Sequence, residues 1–293
     1  MKKAVMTGKL TRHEYYNIRL HKMCAKLFFC FETCWVGIRE FVLLFSKKTR
    51  AMRLLRTGEI FEFQGETDVA IDYFEQALGK YPKLIETHLN LCRCYLRLLS
   101  LKKAREHCLK YMEKEPDSPE INLYMGVILY YGNKWDDALV HLSKAEERLP
   151  AREKKKASAF EYMGECYLKL GNPEEAVTCL ERSIQVNPYG GGEKKYVSLG
   201  EGYYMLGKKE EALRIFKKAL EMNQRNHEAW NNIGVLMWSV NNLESAYKCF
   251  RKSLDINPEY REAQTNLVSV EEGMRSVMKN GRNITKSFPW MQQ

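Results

Sequence analysis

A unit of about 34 residues recurs six times along this chain, and this recurrence constrains the fold more than any other feature. The clearest copy covers residues 157–188. From Phe160 to Tyr167, apolar and small residues recur at spacings of three and four, which places them on one face of a helix. Gly171 can end that helix, and Pro173 suits the first turn of a second one. Each copy therefore predicts a hairpin of two helices.

The same three positions recur in register in all six copies. A small residue in the first helix is followed twelve residues later by an alanine and four residues after that by a large residue or cysteine. Helices can cross closely at small side chains, and one hairpin cannot bury its apolar stripe alone, so the hairpins must stack. The small residues are Gly58, Cys92, Gly126, Gly164, Gly200 and Gly234, and the alanines are Ala70, Ala104, Ala138, Ala176, Ala212 and Ala246.

This pattern resembles the tetratricopeptide repeat, which has Leu-Gly, Tyr, Ala, Phe and Pro at these offsets. The resemblance implies an all-α fold, a right-handed superhelical solenoid of about six helix hairpins with a C-terminal capping helix. A seventh, degenerate hairpin at the N-terminus stays an open alternative. The predicted array spans residues 51–258, with repeats at 51–84, 85–118, 119–156, 157–192, 193–226 and 227–260, followed by a capping helix at 261–279 and a flexible tail at 280–293.

The first fifty residues differ from the repeats in being strongly basic, with eleven Lys or Arg against three Glu. They also carry an apolar stripe at helical spacing. One interpretation is a degenerate repeat. The other is a basic amphipathic helix that lies on an anionic membrane surface or docks on another subunit. The residues predicted to make the membrane or assembly contact are Leu27, Phe28, Phe31 and Trp35.

The sequence favours a cytoplasmic protein, with peripheral membrane association as the alternative. Residues 1–16 are charged and contain no apolar core segment, so no secretory signal is predicted. Uncharged stretches in the N-terminal segment are far shorter than the roughly 18–20 residues that a membrane span needs. The nine cysteines are therefore predicted to be reduced thiols.

First helices of this family line a concave groove, which predicts a binding surface for a peptide or helix of a partner protein. Aromatic and arginine side chains dominate binding energy at protein interfaces, and several occupy inward positions here. Nucleic acid is not a predicted partner, since the positive charge is concentrated at the chain termini. The predicted groove residues are Arg93, Arg97, Tyr130, Tyr131, Glu161, Glu165, Glu201, Tyr204, Asn231 and Trp238.

Family members that bind chaperone tails hold a terminal carboxylate with a clamp of Lys, Arg and Asn. At the matching positions only Asn90 agrees, and the others are Leu55, Glu59, Glu120 and Tyr124. The clamp is therefore absent.

An asparagine ladder for a peptide backbone is an open alternative, because amides offer both a donor and an acceptor. Its members would be Asn90, Asn232 and Asn266. Two insertions, 152–156 (REKKK) and 189–192 (YGGG), lie between repeats and are predicted to be either solvated loops or contact points.

No motif for catalysis, a cofactor or a metal is present: the sequence has no phosphate loop, no His-Glu-x-x-His and no paired Cys-x-x-Cys. His88 and Cys92 are suitably spaced for a metal but occupy helix-packing positions. The predicted function is a non-catalytic scaffold or adaptor without cofactor. The alternative is a self-assembling peripheral membrane scaffold, similar to the magnetosome-associated tetratricopeptide scaffold, with self-association through its aromatic termini.

Overall fold

A computed structural model of the protein describes residues 47–280. The predictions made for residues 1–46, including Leu27, Phe28, Phe31 and Trp35, and for the tail after residue 280 lie outside the described residues. Within 47–280 the secondary structure consists of thirteen α-helices and no strand. The helices are α1 Lys47–Phe63, α2 Thr67–Lys80, α3 Ile85–Arg97, α4 Leu101–Met112, α5 Pro119–Tyr131, α6 Trp135–Arg148, α7 Lys154–Leu170, α8 Pro173–Val186, α9 Lys194–Met205, α10 Lys209–Met222, α11 His227–Ser239, α12 Leu243–Ile256 and α13 Arg261–Asn280.

The helices form two compact units, divided between Glu115 and Pro116. Unit 1 holds α1–α4 and unit 2 holds α5–α13. In both units each odd-numbered helix packs against the even-numbered helix that follows it, as the hairpin pattern predicts. Within each unit, successive odd-numbered helices also contact one another, so they form one continuous layer. These odd-numbered helices are called the first helices below.

The predicted close crossings are confirmed in the geometry of the hairpins. A Cβ atom added at Gly164 would lie 2.6 Å from Cγ of Leu180 and 3.1 Å from the carbonyl oxygen of Ala176. At Gly58 it would lie 2.5 Å from the Phe74 ring. The glycine therefore makes room for the large side chain of the second helix, which is fully buried.

The second hairpin solves the same packing problem with a different pair of side chains. Cys92 replaces the glycine on α3, and Cys108 replaces the large residue on α4. Both thiols are fully buried. The volume added on one helix is thus removed from the other, and the crossing stays close. None of the six cysteines among the described residues forms a disulfide bond.

Two predicted boundaries differ from the structure. Helix α1 already includes residues 47–50, which precede the predicted start of the array at residue 51. Helix α7 begins at Lys154, so the last three residues of the first insertion form its first turn and are not part of a loop. Lysine has a high helix propensity, so these residues extend the helix and do not interrupt it.

The second insertion, 189–192, is a loop fixed at its start by two side chains of α9. Lys195 is fully buried and donates from Nζ to the carbonyl oxygen of Asn187. The hydroxyl of Tyr196 donates to the carbonyl oxygen of Pro188 at 3.1 Å. An ammonium group at the C-terminal end of α8 is favoured by the helix dipole. The loop is therefore anchored where it leaves α8.

None of the helices in residues 47–280 is both long enough and apolar enough to cross a membrane.

We predict that Gly164→Ala lowers the free energy of unfolding by about 1–3 kcal/mol, because the new methyl group would overlap Leu180 and the Ala176 carbonyl. This loss outweighs a gain of up to about 1 kcal/mol in helix propensity. Urea unfolding followed by circular dichroism measures the change. The matched control is Gly79→Ala in α2, where nothing lies within 4 Å of the added Cβ and stability should not fall. Equal effects at the two sites would contradict the close-crossing account.

Candidate partner-binding groove

Three tyrosines on neighbouring first helices form a cluster in unit 2. Tyr130 and Tyr131 end α5, and Tyr162 lies on α7. Their ring centroids are 5.2, 5.4 and 6.3 Å apart, in edge-to-face arrangements that favour aromatic pairs. Tyr131 is 40% exposed, so the cluster presents an aromatic surface to the solvent. We call these three residues the tyrosine cluster.

Beside the tyrosine cluster, Glu165 on α7 is buried and ion-paired. Nζ of Lys194 on α9 lies 3.1 Å from its Oε1, and the hydroxyl of Ser198 lies 3.5 Å from the same atom. Burial opposes the charge of Lys194, but Glu165 more than offsets this and raises the pKa of the lysine. Burial, followed by the charge of Glu165, raises the pKa of Tyr130. Glu165 thus joins three first helices and is already neutralised by a cation.

Glu161, one turn before Glu165, has no such neutralising contact. Among the described residues it forms no hydrogen bond, and no Lys or Arg nitrogen lies within 4 Å of its carboxylate. Its oxygens lie against the backbone of Gly191, where an added Cβ would be 2.5 Å from Oε2. Burial, and then the charge of Glu165, raise the pKa of Glu161 to about 7, although Lys195 and Lys194 act in the opposite direction.

Further along unit 2, the polar groove residues are bonded from one first helix to the next. Nδ2 of Asn232 donates to Glu201 at 2.8 Å, and Nδ2 of Asn266 donates to Oδ1 of the buried Asn231 at 3.0 Å. Burial raises the pKa of Glu201, and the Asn232 bond partly compensates. The asparagines considered for a peptide ladder therefore use their amide donors to hold neighbouring repeats together, as Asn90 does with Glu59 in unit 1 at 3.2 Å.

Two further predicted groove residues, Tyr204 and Trp238, are aromatic and follow Glu201 in the sequence. Tyr204 on α9 is half-buried, and Trp238 on α11 is 37% exposed. Because α9 and α11 are neighbouring first helices, both rings belong to the same layer as the tyrosine cluster.

The two predicted arginines lie in unit 1 and are engaged by a carboxylate. Arg93 contacts Glu62 through Nε and Nη2, each 2.5 Å from a carboxylate oxygen, and Nη1 of Arg97 lies 3.6 Å from the same group. Glu62 is 4% exposed and needs this pairing, because an unpaired buried charge is costly. The pairing role of Glu62 was not predicted from the sequence. The available signal was its position 31 residues before Arg93, a spacing that joins neighbouring first helices.

The lysines of the first insertion also make contacts within the protein. Lys155 contacts Glu120 on α5, and Nζ of Lys156 lies 2.9 Å from Glu146 on α6. These contacts connect the start of α7 to the preceding hairpin.

His88 contacts another histidine in unit 1. The Nδ1 atoms of His88 and His107 are 2.9 Å apart, and burial lowers the pKa of both rings, that of His107 to about 4. Within residues 47–280 no group of three or more His, Cys, Asp or Glu side chains is placed to hold a metal ion.

The stacked helical hairpins define an α-helical repeat protein, and within each of its two units the first helices form one layer. Three family models, each described as Tetratricopeptide repeat, match residues 64–124, 155–225 and 227–260. The chain belongs to the tetratricopeptide repeat family, as the sequence pattern predicted. No curated protein sequence matches it.

Several solved structures share the fold. PilW, described as a widely conserved type IV pilus biogenesis factor, is 22% identical, with a TM-score of 0.62 over 74% of this chain and 98% of its own. YrrB, described as having an unusual peptide-binding site, is 20% identical, with a TM-score of 0.52 over 66% and 96%. MamA from Desulfovibrio magneticus RS-1 is 19% identical, with a TM-score of 0.51 over 60% and 96%. At these identities the likeness shows the fold alone.

We predict that Glu161→Gln stabilises the protein at pH 8 by about 1–3 kcal/mol and has little effect at pH 5. The pKa of Glu161 is about 7 in the folded protein and 4.5 as its ordinary value. As the pH rises between these values, the unfolded chain loses its proton more readily, so the wild type loses stability that the glutamine variant keeps. Urea unfolding at several pH values measures the difference.

The exposed carboxylate Glu174 on α8 supplies the control. Glu174→Gln removes one carboxylate at an exposed position, and the gain in stability from pH 5 to pH 8 should be larger for Glu161→Gln than for this variant. If the free energy of unfolding of Glu161→Gln depends on pH in the same way as that of the wild type, ionised Glu161 does not destabilise the folded protein.

Proposed function

We propose that the protein is a non-catalytic scaffold that binds an extended peptide or a helix of a partner protein on the first helices of unit 2. Tetratricopeptide repeat proteins serve as protein-interaction modules, and a structure of similar fold, YrrB, is described as having a peptide-binding site. The observation that carries the proposal is the set of partly exposed aromatic rings on the first helices of unit 2, Tyr131 on α5, Tyr204 on α9 and Trp238 on α11. Such rings supply contact area at low entropy cost.

The polar contacts of the groove favour this surface over the arginines of unit 1. Arg93 and Arg97 are held by Glu62, so using them for a ligand would leave a buried carboxylate without its cation. Using Tyr204 or Trp238 requires no such rearrangement.

A photo-crosslinking amino acid placed at residue 204 tests the proposal in the native cells of the protein. The groove position should crosslink to a small set of discrete partner polypeptides. The matched control is the same amino acid at Tyr189, which is 86% exposed in the loop between α8 and α9. The proposal fails if residue 204 gives no crosslink or if residue 189 captures the same partners.

A second candidate function is a self-assembling peripheral membrane scaffold attached through the N-terminal segment. It is favoured by the apolar side chains that the first hairpin leaves exposed to solvent. The most exposed of them is Phe63, at 65%. Several exposed large apolar side chains on one hairpin are a feature of surfaces that contact a partner, a membrane or another part of the chain. The other members of the group are Met52, Ile60 and Val69.

Light scattering and flotation with anionic liposomes test this second candidate. The full chain should form assemblies or float with lipid, Phe63→Ser should reduce the assembly size, and Leu27→Ser with Phe31→Ser should abolish flotation. Val140→Ser, at a 56% exposed position of α6, is the control and should change neither result. This function would be excluded if the full chain is a monomer and does not bind liposomes.

A further inference from the structure

Glu161 is an anomaly among the groove carboxylates of unit 2. Glu165 has an ion pair with Lys194, and Glu201 accepts a hydrogen bond from Asn232 at 2.8 Å. Glu161 is held in a half-buried position against the backbone of Gly191 with neither kind of partner among the described residues. A carboxylate that has lost water without gaining a cation or donor costs free energy, and a ligand that supplies a cation recovers it.

The surroundings of Glu161 suit a cation with an apolar stem. Lys194 on α9 forms an ion pair with Glu165 on α7 at 3.1 Å. Tyr131 on α5 and Glu161 on α7 also act to raise the pKa of Lys194, which indicates that they belong to the same neighbourhood. Tyr162, adjacent to Glu161, is in edge-to-face contact with Tyr131. Aromatic faces attract Lys and Arg heads and also pack against their methylene stems.

Among the described residues no cation contacts the Glu161 carboxylate directly, although Lys195 and Lys194 both act to lower its pKa from a longer distance. Lys194 is matched by Glu165 at 3.1 Å. The ammonium group of Lys195 is buried and donates to the Asn187 carbonyl oxygen at the end of α8. Both ammonium groups are therefore held by other acceptors, and the Glu161 carboxylate has no cation in contact with it.

We propose that the unit 2 groove recognises a lysine or arginine side chain of its partner, with the cation on Glu161 and the stem against Tyr131 and Tyr162. This inference rests on the proposed peptide-binding function and adds the chemistry of the ligand to it. The partner is a basic peptide segment. It is not an acidic segment or a free C-terminal carboxylate, which the Glu161 carboxylate would repel.

The arrangement also predicts release of a proton when the partner binds near neutral pH. The charged groups that face Glu161 are Glu165 on its own helix and Lys194 and Lys195 on α9. Burial and Glu165 keep the pKa of Glu161 at about 7, and an incoming cation lowers it. For one group of this pKa, affinity should rise about tenfold between pH 6 and pH 8.

Selection of random twelve-residue peptides by display on the full chain tests the proposal without a known partner. Peptides enriched on the wild type should share a Lys or Arg at one position, and this preference should disappear on Glu161→Gln but persist on the control Glu174→Gln. Non-specific attraction of basic peptides cannot imitate this result, because Glu161→Gln and Glu174→Gln each remove one negative charge and would weaken such attraction equally.

The selected peptide and its variant with norleucine in place of the basic residue then form a double-mutant cycle with Glu161→Gln. For a peptide without histidine, we expect the replacement to weaken binding at least about tenfold on the wild type and less than about twofold on the glutamine variant. Isothermal titration at pH 6 and pH 8 should show the affinity gain and proton release for the wild type only.

The outcomes separate this inference from the function on which it rests. No enriched peptide would overturn the proposed function together with the inference. Enriched peptides without a basic preference, or with acidic residues, would leave the groove function standing and overturn the inference. A basic preference retained by Glu161→Gln, or a pH-independent affinity, would overturn the assignment to Glu161.

Discussion

The close crossing of two helices at one small residue is the contact on which the remaining structure depends. In five hairpins a glycine admits a buried Phe or Leu of the second helix, and in one hairpin two cysteines share the same space. The crossing sets the distance between the helices, and hence which side chains of the first helix remain for the neighbouring repeat. Since each repeat packs mainly on its neighbours, a substitution that disturbs one crossing directly affects only that repeat and the adjacent ones.

A second set of contacts runs between neighbouring first helices, and it decides which polar groove residues are available to a ligand. Arg93 with Glu62, Lys194 with Glu165 and Asn232 with Glu201 all join residues about one repeat apart. Each pair neutralises a group that stacking has removed from water. The groove is therefore largely satisfied internally, and Glu161 is significant because it departs from this rule.

The two insertions bracket the repeat that carries Glu161. The first insertion supplies Lys155 and Lys156, which connect α7 to the hairpin before it. The second places the backbone of Gly191 against the Glu161 carboxylate. Gly191 has a φ of 76°, a left-handed conformation that side chains disfavour. The insertions thus shape the local environment of the tyrosine cluster and Glu161, which uninterrupted 34-residue repeats would not produce.

The sequence by itself determined the all-α hairpin repeat, the crossing residues and the candidate groove positions, because helical periodicity and the need for a small residue at each crossing are local properties. Tertiary structure decided which groove residues already have partners. Arg93, predicted as a ligand contact, pairs with Glu62, and the ladder asparagines bond to neighbouring helices. Pairing across repeats depends on side-chain reach and burial, which residue spacing alone does not specify. For the same reason only the structure distinguished Glu161 from Glu165.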